Sequence, residues 1–120
     1  RLWALEETEE GSKLSSSVLN VETAWEKIEE NGAVAAWNDI SGQYQATFEK
    51  DGKLYQMWIE DKDAVNMKTS LVHKYDLAGA CVWASNFANE EVFEVFERNL
   101  KQISSYEEWK ESFSQPVMKK

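Results

Sequence analysis

Asp51-Gly52, set between two alternating runs, is the feature that most limits what this chain can become. A two-residue turn of this kind needs positive φ at both positions, and its twist suits an antiparallel strand pair. Before it, Tyr44, Ala46 and Phe48 alternate with Gln45, Thr47 and Glu49, the period of a half-buried strand. After it, Leu54 to Ile59 returns as the partner. An apolar run from Ala33 to Trp37, stopped by the turn formers Asn38, Asp39, Ser41 and Gly42, adds a third strand. Residues 33–59 therefore read as an antiparallel meander.

The flanking segments read differently. Glu6 through Val18 is polar, with Gly11 and three consecutive serines, and is expected to be a loop. Asn20 can cap a helix that places Val21, Ala24, Trp25 and Ile28 on one face, and Asn31-Gly32 supplies its left-handed exit. Beyond residue 60 the style changes. Asp63 is expected to cap a helix with Ala64, Met67, Leu71, Val72 and Tyr75 on one side. Leu77 to Trp83 is a continuous apolar run, the composition of a strand buried on both faces, as parallel barrel strands are. Asn89 then begins a helix with Val92, Phe93, Phe96 and Leu100 inward, and Ser104-Ser105 opens a last helical segment closed by Pro116. The fold class is α+β: a small antiparallel sheet of three or four strands with packed helices, followed by a helix-strand-helix piece with too few strands to close a sheet.

Composition narrows the function. In 120 residues, 42 % are apolar and six are tryptophans, enough for one core. No apolar run approaches the ~20 residues of a bilayer span, and the first residues turn acidic too early for a secretion signal. Without an initiator Met, the sequence reads as an excised piece or a mature product. Twenty-two acidic against 13 basic residues give a net charge of −9, which repels phosphate backbones, so no nucleic acid is expected as partner. One cysteine, Cys81, and one histidine, His73, leave no internal disulfide and no ligand cluster for a metal; no cofactor is expected. Cys81 is expected as a small apolar side chain in a buried strand, His73 as a surface residue.

Three blocks, in order, resemble the family-18 glycoside hydrolases. Arg1-Leu2-Trp3 is similar to the end of the family's Tyr-Gly-Arg-x-Trp segment. Ile59-Glu60-Asp61-Lys62-Asp63-Ala64-Val65-Asn66-Met67-Lys68 is similar to its Tyr-Asp-Asp-Pro-x-Ser-Ile-x-x-Lys, with Ile59, Lys62 and Ala64 as departures. Leu77-Ala78-Gly79-Ala80-Cys81-Val82-Trp83 resembles its Leu-Gly-Gly-x-Met-x-Trp strand. The nearest likeness is to a bacterial branch that includes spore-cortex and cell-wall lytic enzymes. The resemblance covers roughly residues 1–100: 1–60 as a short insertion-like α+β part and 61–100 as the last helix-strand-helix of a TIM (β/α)8 barrel. Residues 101–120 follow as a helical tail.

The resemblance implies cleavage of bonds next to N-acetylglucosamine, in chitin or peptidoglycan, by a substrate-assisted route unlike the usual pair of carboxylates. Its catalytic glutamate belongs to an Asp-x-x-Asp-x-Asp-x-Glu signature that this sequence does not contain, so no catalytic residue is assigned. The candidates are substrate-binding: Trp83, placed where the family floors the subsite of the cleaved sugar, with Glu60, Trp58, Arg1 and Trp3 around the same mouth. An indole suits the role, since its flat apolar face stacks on a sugar ring. The plainer readings are that Trp83 packs in the core, that Glu60 and Asp61 support the helix dipole, and that Trp37, Tyr44, Tyr55 and Trp58 form a core face rather than a glycan platform. The alternative function is a non-catalytic carbohydrate-binding or self-associating domain, with a homo-oligomer or strand-exchanged dimer as its form. An extracellular, cell-wall or spore setting is suggested by the resemblance alone.

Overall fold

The computed structural model describes residues 1–83, 85–114 and 116. Five antiparallel strands form one sheet: β1 (Leu2–Thr8), β2 (Gly11–Ser17), β3 (Ala36–Asn38), β4 (Gln43–Lys50) and β5 (Lys53–Ile59), in the order β2-β1-β5-β4-β3. Asp51 and Gly52 close β4 onto β5 at φ 51° and 73°, the positive pair that the Asp-Gly turn demands. The ladder aligns Tyr44 with Ile59, Ala46 with Met57 and Phe48 with Tyr55. The outermost part of the meander is shorter than its sequence implies, since only Ala36 to Asn38 pairs with β4.

The polar stretch expected to be a loop is instead a hairpin. β1 and β2 pair from Leu2↔Ser17 to Thr8↔Gly11 across Glu9-Glu10. Every residue of β2 is exposed, so the strand buries no face and its sequence carries no apolar alternation. Main-chain pairing with β1 defines it, and that leaves no side-chain pattern to read. The sheet therefore has five strands rather than three or four.

Helix α1 (Val21–Glu30) is capped by Asn20, whose Oδ1 accepts from Thr23 N at 2.7 Å. Its Ala24 and Ile28 join Leu2, Tyr44, Ala46, Met57 and Ile59 in the core on one face of the sheet. Fully burying a side chain of Ile or Met size contributes about 1.5–3 kcal/mol. Trp25 and Trp37 meet the Tyr44 ring edge-on, at 5.4 and 5.1 Å between centroids. With Tyr55, these residues confirm the core-face reading of the sheet aromatics, with Trp58 excepted because it points to the opposite face.

Helix α2 (Lys62–Lys74) follows β5 at once, and its cap is Asp61 rather than Asp63: the Asp61 carboxylate accepts from Asp63 N at 3.1 Å and Ala64 N at 3.2 Å. Asp63 instead accepts from the Tyr44 hydroxyl at 2.9 Å, tying the helix to the sheet. The buried side of α2 is Ala64, Thr69 and Ser70, while Leu71 and the C-cap Tyr75 are exposed. Small and polar residues lie inward because they meet a polar core. Asn99, fully buried, donates to Thr69 Oγ1 at 2.7 Å and to Asn66 Oδ1 at 2.9 Å. Arg98 and the Trp109 indole N–H also donate to Asn66 Oδ1, and His73 Nε2 donates to the Asn99 carbonyl. His73 is thus half-buried and bonded rather than a free surface residue. The network joins α2 to a π-helical turn at Arg98–Gln102, which continues α3 (Glu90–Glu97), and to α4 (Tyr106–Ser112). Ser105 and Glu108 cap α4 reciprocally, with Ser105 Oγ accepting from Glu108 N and Glu108 accepting from Ser104. Bonding to Ser104 holds the Glu108 carboxyl below its ordinary pKa.

The expected strand at Leu77–Trp83 is not formed. After Asp76 at φ 50° the segment runs exposed, and Leu77 N bonds back to Val72 O as the helix ends. Cys81 is an exposed free thiol, not a buried one. A strand apolar on both faces needs neighbouring strands and cover on both sides. This sheet ends at β2 and β3, and neither edge receives the segment. The molecule is elongated, 56 × 26 × 24 Å, with a radius of gyration of 16.5 Å against about 14 Å expected for a compact domain of this length.

Candidate binding cleft

At the end of the sheet near the helices, a cleft of about 390 Å³ opens between the sheet and Val82, Trp83, Phe87 and Ala88. Arg1, Trp58, Glu60 and Trp83 line it together with Val65 of α2 and Val92 of α3. Four of the five residues singled out from the sequence thus share one cavity, although Trp83 is 80 residues or more from Arg1 in sequence. The fifth, Trp3, stands beside the cleft, beneath the Arg1 guanidinium at 5.5 Å from its ring centroid.

The local geometry follows from the sheet. Because Ile59 and Met57 point to the core, Trp58 must point to the other face. Arg1 continues the β1–β5 ladder: Trp58 N donates to Arg1 O at 3.1 Å, and the Arg1 ammonium donates to Trp58 O at 2.7 Å. The guanidinium itself donates to Ser16 Oγ at 2.8 and 3.1 Å, so the exposed β2 strand braces it.

Glu60 leaves the end of β5 one residue before the α2 cap. Its carboxylate receives the Lys68 ammonium and the Gln43 amide. Asp61 turns inward as the helix cap, 4 % exposed, whereas the adjacent Glu60 lines the cleft. Lys68 belongs to the sequence block that resembles the family motif, but its grip on Glu60 needs the eight-residue spacing across the strand-helix junction to be seen in space. Gln43 had no signal in the sequence.

Trp83 is 95 % exposed, which removes the reading that it packs in the core. Its indole flanks both this cleft and an adjoining hollow of about 290 Å³ lined by Glu60, Lys68, Cys81 and Phe96. The arrangement sets two indoles, a guanidinium and one oriented carboxylate around the cleft, with apolar walls behind them. Among the described residues lining the cleft, Glu60 is the single acid. Two-carboxylate hydrolysis therefore has no second member here. Among the described residues, no group of three or more His, Cys, Asp or Glu side chains is placed to hold a metal, and no helix is long and apolar enough to cross a membrane.

No family model matches the chain, and no curated protein matches it. Solved structures do. A chitinase from Chromobacterium violaceum superposes with a TM-score of 0.65 at 18 % identity, over 85 % of this chain and 31 % of that one. The C-terminal domain of a protein described as a chitinase from Desulfitobacterium hafniense superposes with a TM-score of 0.71 at 19 % identity, over 83 % of this chain and 33 % of that one. The chain shares the fold of part of these proteins and spans about a third of their length.

Proposed function

We propose that this chain is the C-terminal portion of a family-18 glycoside hydrolase and supplies a substrate-binding wall, not the catalytic acid. The ligand is an N-acetylglucosamine polymer, chitin or peptidoglycan, and the sequence blocks resemble those of the spore-cortex and cell-wall branch. Residues 1–60 act as the insertion and 61–100 as the last helix-strand-helix of the TIM barrel; the tail 101–120 contributes α4, its residues 115 and 117–120 lying outside the described residues. One observation carries the proposal: residues drawn from separate sequence blocks resembling one family meet in one cleft. The shared fold with two chitinase structures adds to it.

In this role Trp83 and Trp58 stack on sugar rings, whose C–H faces are apolar. Glu60, held by Lys68 and Gln43, accepts from sugar hydroxyls, and Arg1 donates to a ring or acetamide oxygen. The exposed run Leu77–Trp83 gains strand structure when parallel strands of a barrel flank it. The acid that protonates the leaving oxygen lies on other barrel strands.

Titration with N-acetylglucosamine oligomers, followed by tryptophan fluorescence, tests the proposal. Saturable quenching that Trp83→Ala abolishes is expected. Quenching that is unchanged in Trp83→Ala would place the ligand elsewhere, and no response to any oligomer would remove binding from this chain.

A further inference from the structure

We propose that β2 is a self-pairing edge, through which two copies of this chain join antiparallel about Leu14 into a continuous ten-stranded sheet. β2 is the outermost strand, bonded on one side to β1 and exposed at all seven residues. Its outer row of backbone N–H and C=O groups is a template for another strand. Edges are usually protected by shortness, proline, bulges or inward charges. The opposite edge, β3, is three residues long. Of the protections an edge can carry β2 has one, the charge of Lys13; it runs seven residues with no proline and an uninterrupted register with β1.

The strand is complementary to itself. Pairing about Leu14 sets Leu14 against the second copy's Leu14, Lys13 against Ser15, Ser12 against Ser16 and Gly11 against Ser17, with no like charges directly opposite. Leu14, 61 % exposed, already lies in a row with Leu5 and Leu54 across β1 and β5, because the ladders align Leu5 with both. Pairing doubles that row into one apolar stripe across both sheets, and cross-strand pairs of this kind are the unit of sheet stabilisation. An unrelated extended peptide could bond to the same edge but would not continue the leucine row, so the second copy is the favoured occupant. Opposing it is the charge of −9 on each copy, which salt screens. The dimer should therefore tighten as salt rises, the reverse of an ion-paired interface. A single strand-strand contact is well under the ~800 Å² per partner of a stable complex, so association is weak.

Sedimentation velocity over protein concentrations up to about 1 mM tests this, in the range where edge-driven association is expressed. A monomer–dimer equilibrium strengthened by salt is expected. Leu14→Lys, which puts two ammonium groups opposite each other, should weaken it by at least about tenfold. Because Leu14 is 61 % exposed and loses only its cross-strand pair with Leu5, that variant should keep its circular dichroism and melt within about 4 °C of the parent. In a Cys81→Ser background, Leu14→Cys should cross-link to itself under mild oxidation, and Glu10→Cys, equally exposed but in the turn, should not. A chain that stays monomeric throughout would overturn the proposal. So would a dimer indifferent to Leu14→Lys, which would point to the exposed 77–83 segment, or equal cross-linking from both cysteine positions.

Discussion

Replacing Asp61 by Ala separates two neighbouring acids that the sequence leaves indistinguishable. In the structure Asp61 is buried and accepts from the amides of Asp63 and Ala64 at the start of α2. Losing an N-cap costs about 0.5–2 kcal/mol. Ala64 is fully buried, so its N–H gains no water in exchange, and an orphaned buried donor costs about 1–3 kcal/mol. These two terms overlap, and together they amount to about 2–3 kcal/mol. With an unfolding entropy near 2.1 cal/mol/K per residue, a 120-residue chain should lose about 10 °C of melting temperature. Asp61→Asn, which keeps an accepting oxygen, should recover most of the loss. Glu60→Gln, at a half-exposed position, should stay within about 0.5 kcal/mol of the parent while lowering oligosaccharide affinity. Thermal melts by circular dichroism, paired with fluorescence titration, read both effects. Equal destabilisation by the two substitutions, or no loss in Asp61→Ala, would refute the division into a cap and a binding acid.

Two more predictions concern the frame that holds the cleft. Tyr44 is fully buried and donates to Asp63, and burial followed by that bond raises its pKa far above the usual tyrosine value. The folded form keeps this proton where the unfolded form releases it, so its contribution is complete below about pH 10 and falls as pH rises above that. Tyr44→Phe should lower stability by about 1–3 kcal/mol at neutral pH and should lessen the alkaline loss, as denaturant melts at pH 7 and above 10 would show. Asn99→Ala removes the amide that joins Asn66, Thr69 and Arg98, and should lower the urea midpoint by the equivalent of about 2–4 kcal/mol, whereas a loss under 1 kcal/mol would mean the network is not a structural joint.

The parts legible in the sequence were those with a local physical cause. Asp51-Gly52 fixed the β4–β5 register because few residues take positive φ twice in succession. Asn20, Asn89 and Ser105 announced their helices because a short oxygen-bearing side chain before an apolar face has few other uses. The β1–β2 hairpin was hidden because β2 buries nothing, and strand reading relies on a buried face. The Asp61 cap was missed by two residues because Asp61 and Asp63 both satisfy the local rule, and only the Tyr44 hydroxyl decides between them. Leu77–Trp83 has a strand's composition without a neighbour to pair with, and pairing is not a property of one segment. At the site, the residues Arg1, Trp58, Glu60 and Trp83 were available from resemblance, whereas their supports Ser16, Gln43 and Lys68 emerge through long-range packing.

The six tryptophan indole N–H groups give the most direct test of the cleft as a sugar-binding wall. In a 1H–15N correlation spectrum, titration with an N-acetylglucosamine tetramer should shift the Trp83 and Trp58 indole signals in a saturable manner. The buried Trp109, whose indole N–H is bonded to Asn66, should stay fixed, as should Trp25 and Trp37 packed around Tyr44. Coincident shifts at Trp83 and Trp58 with a single affinity are the predicted result. Shifts confined to other tryptophans, or none at saturating tetramer, would contradict the account.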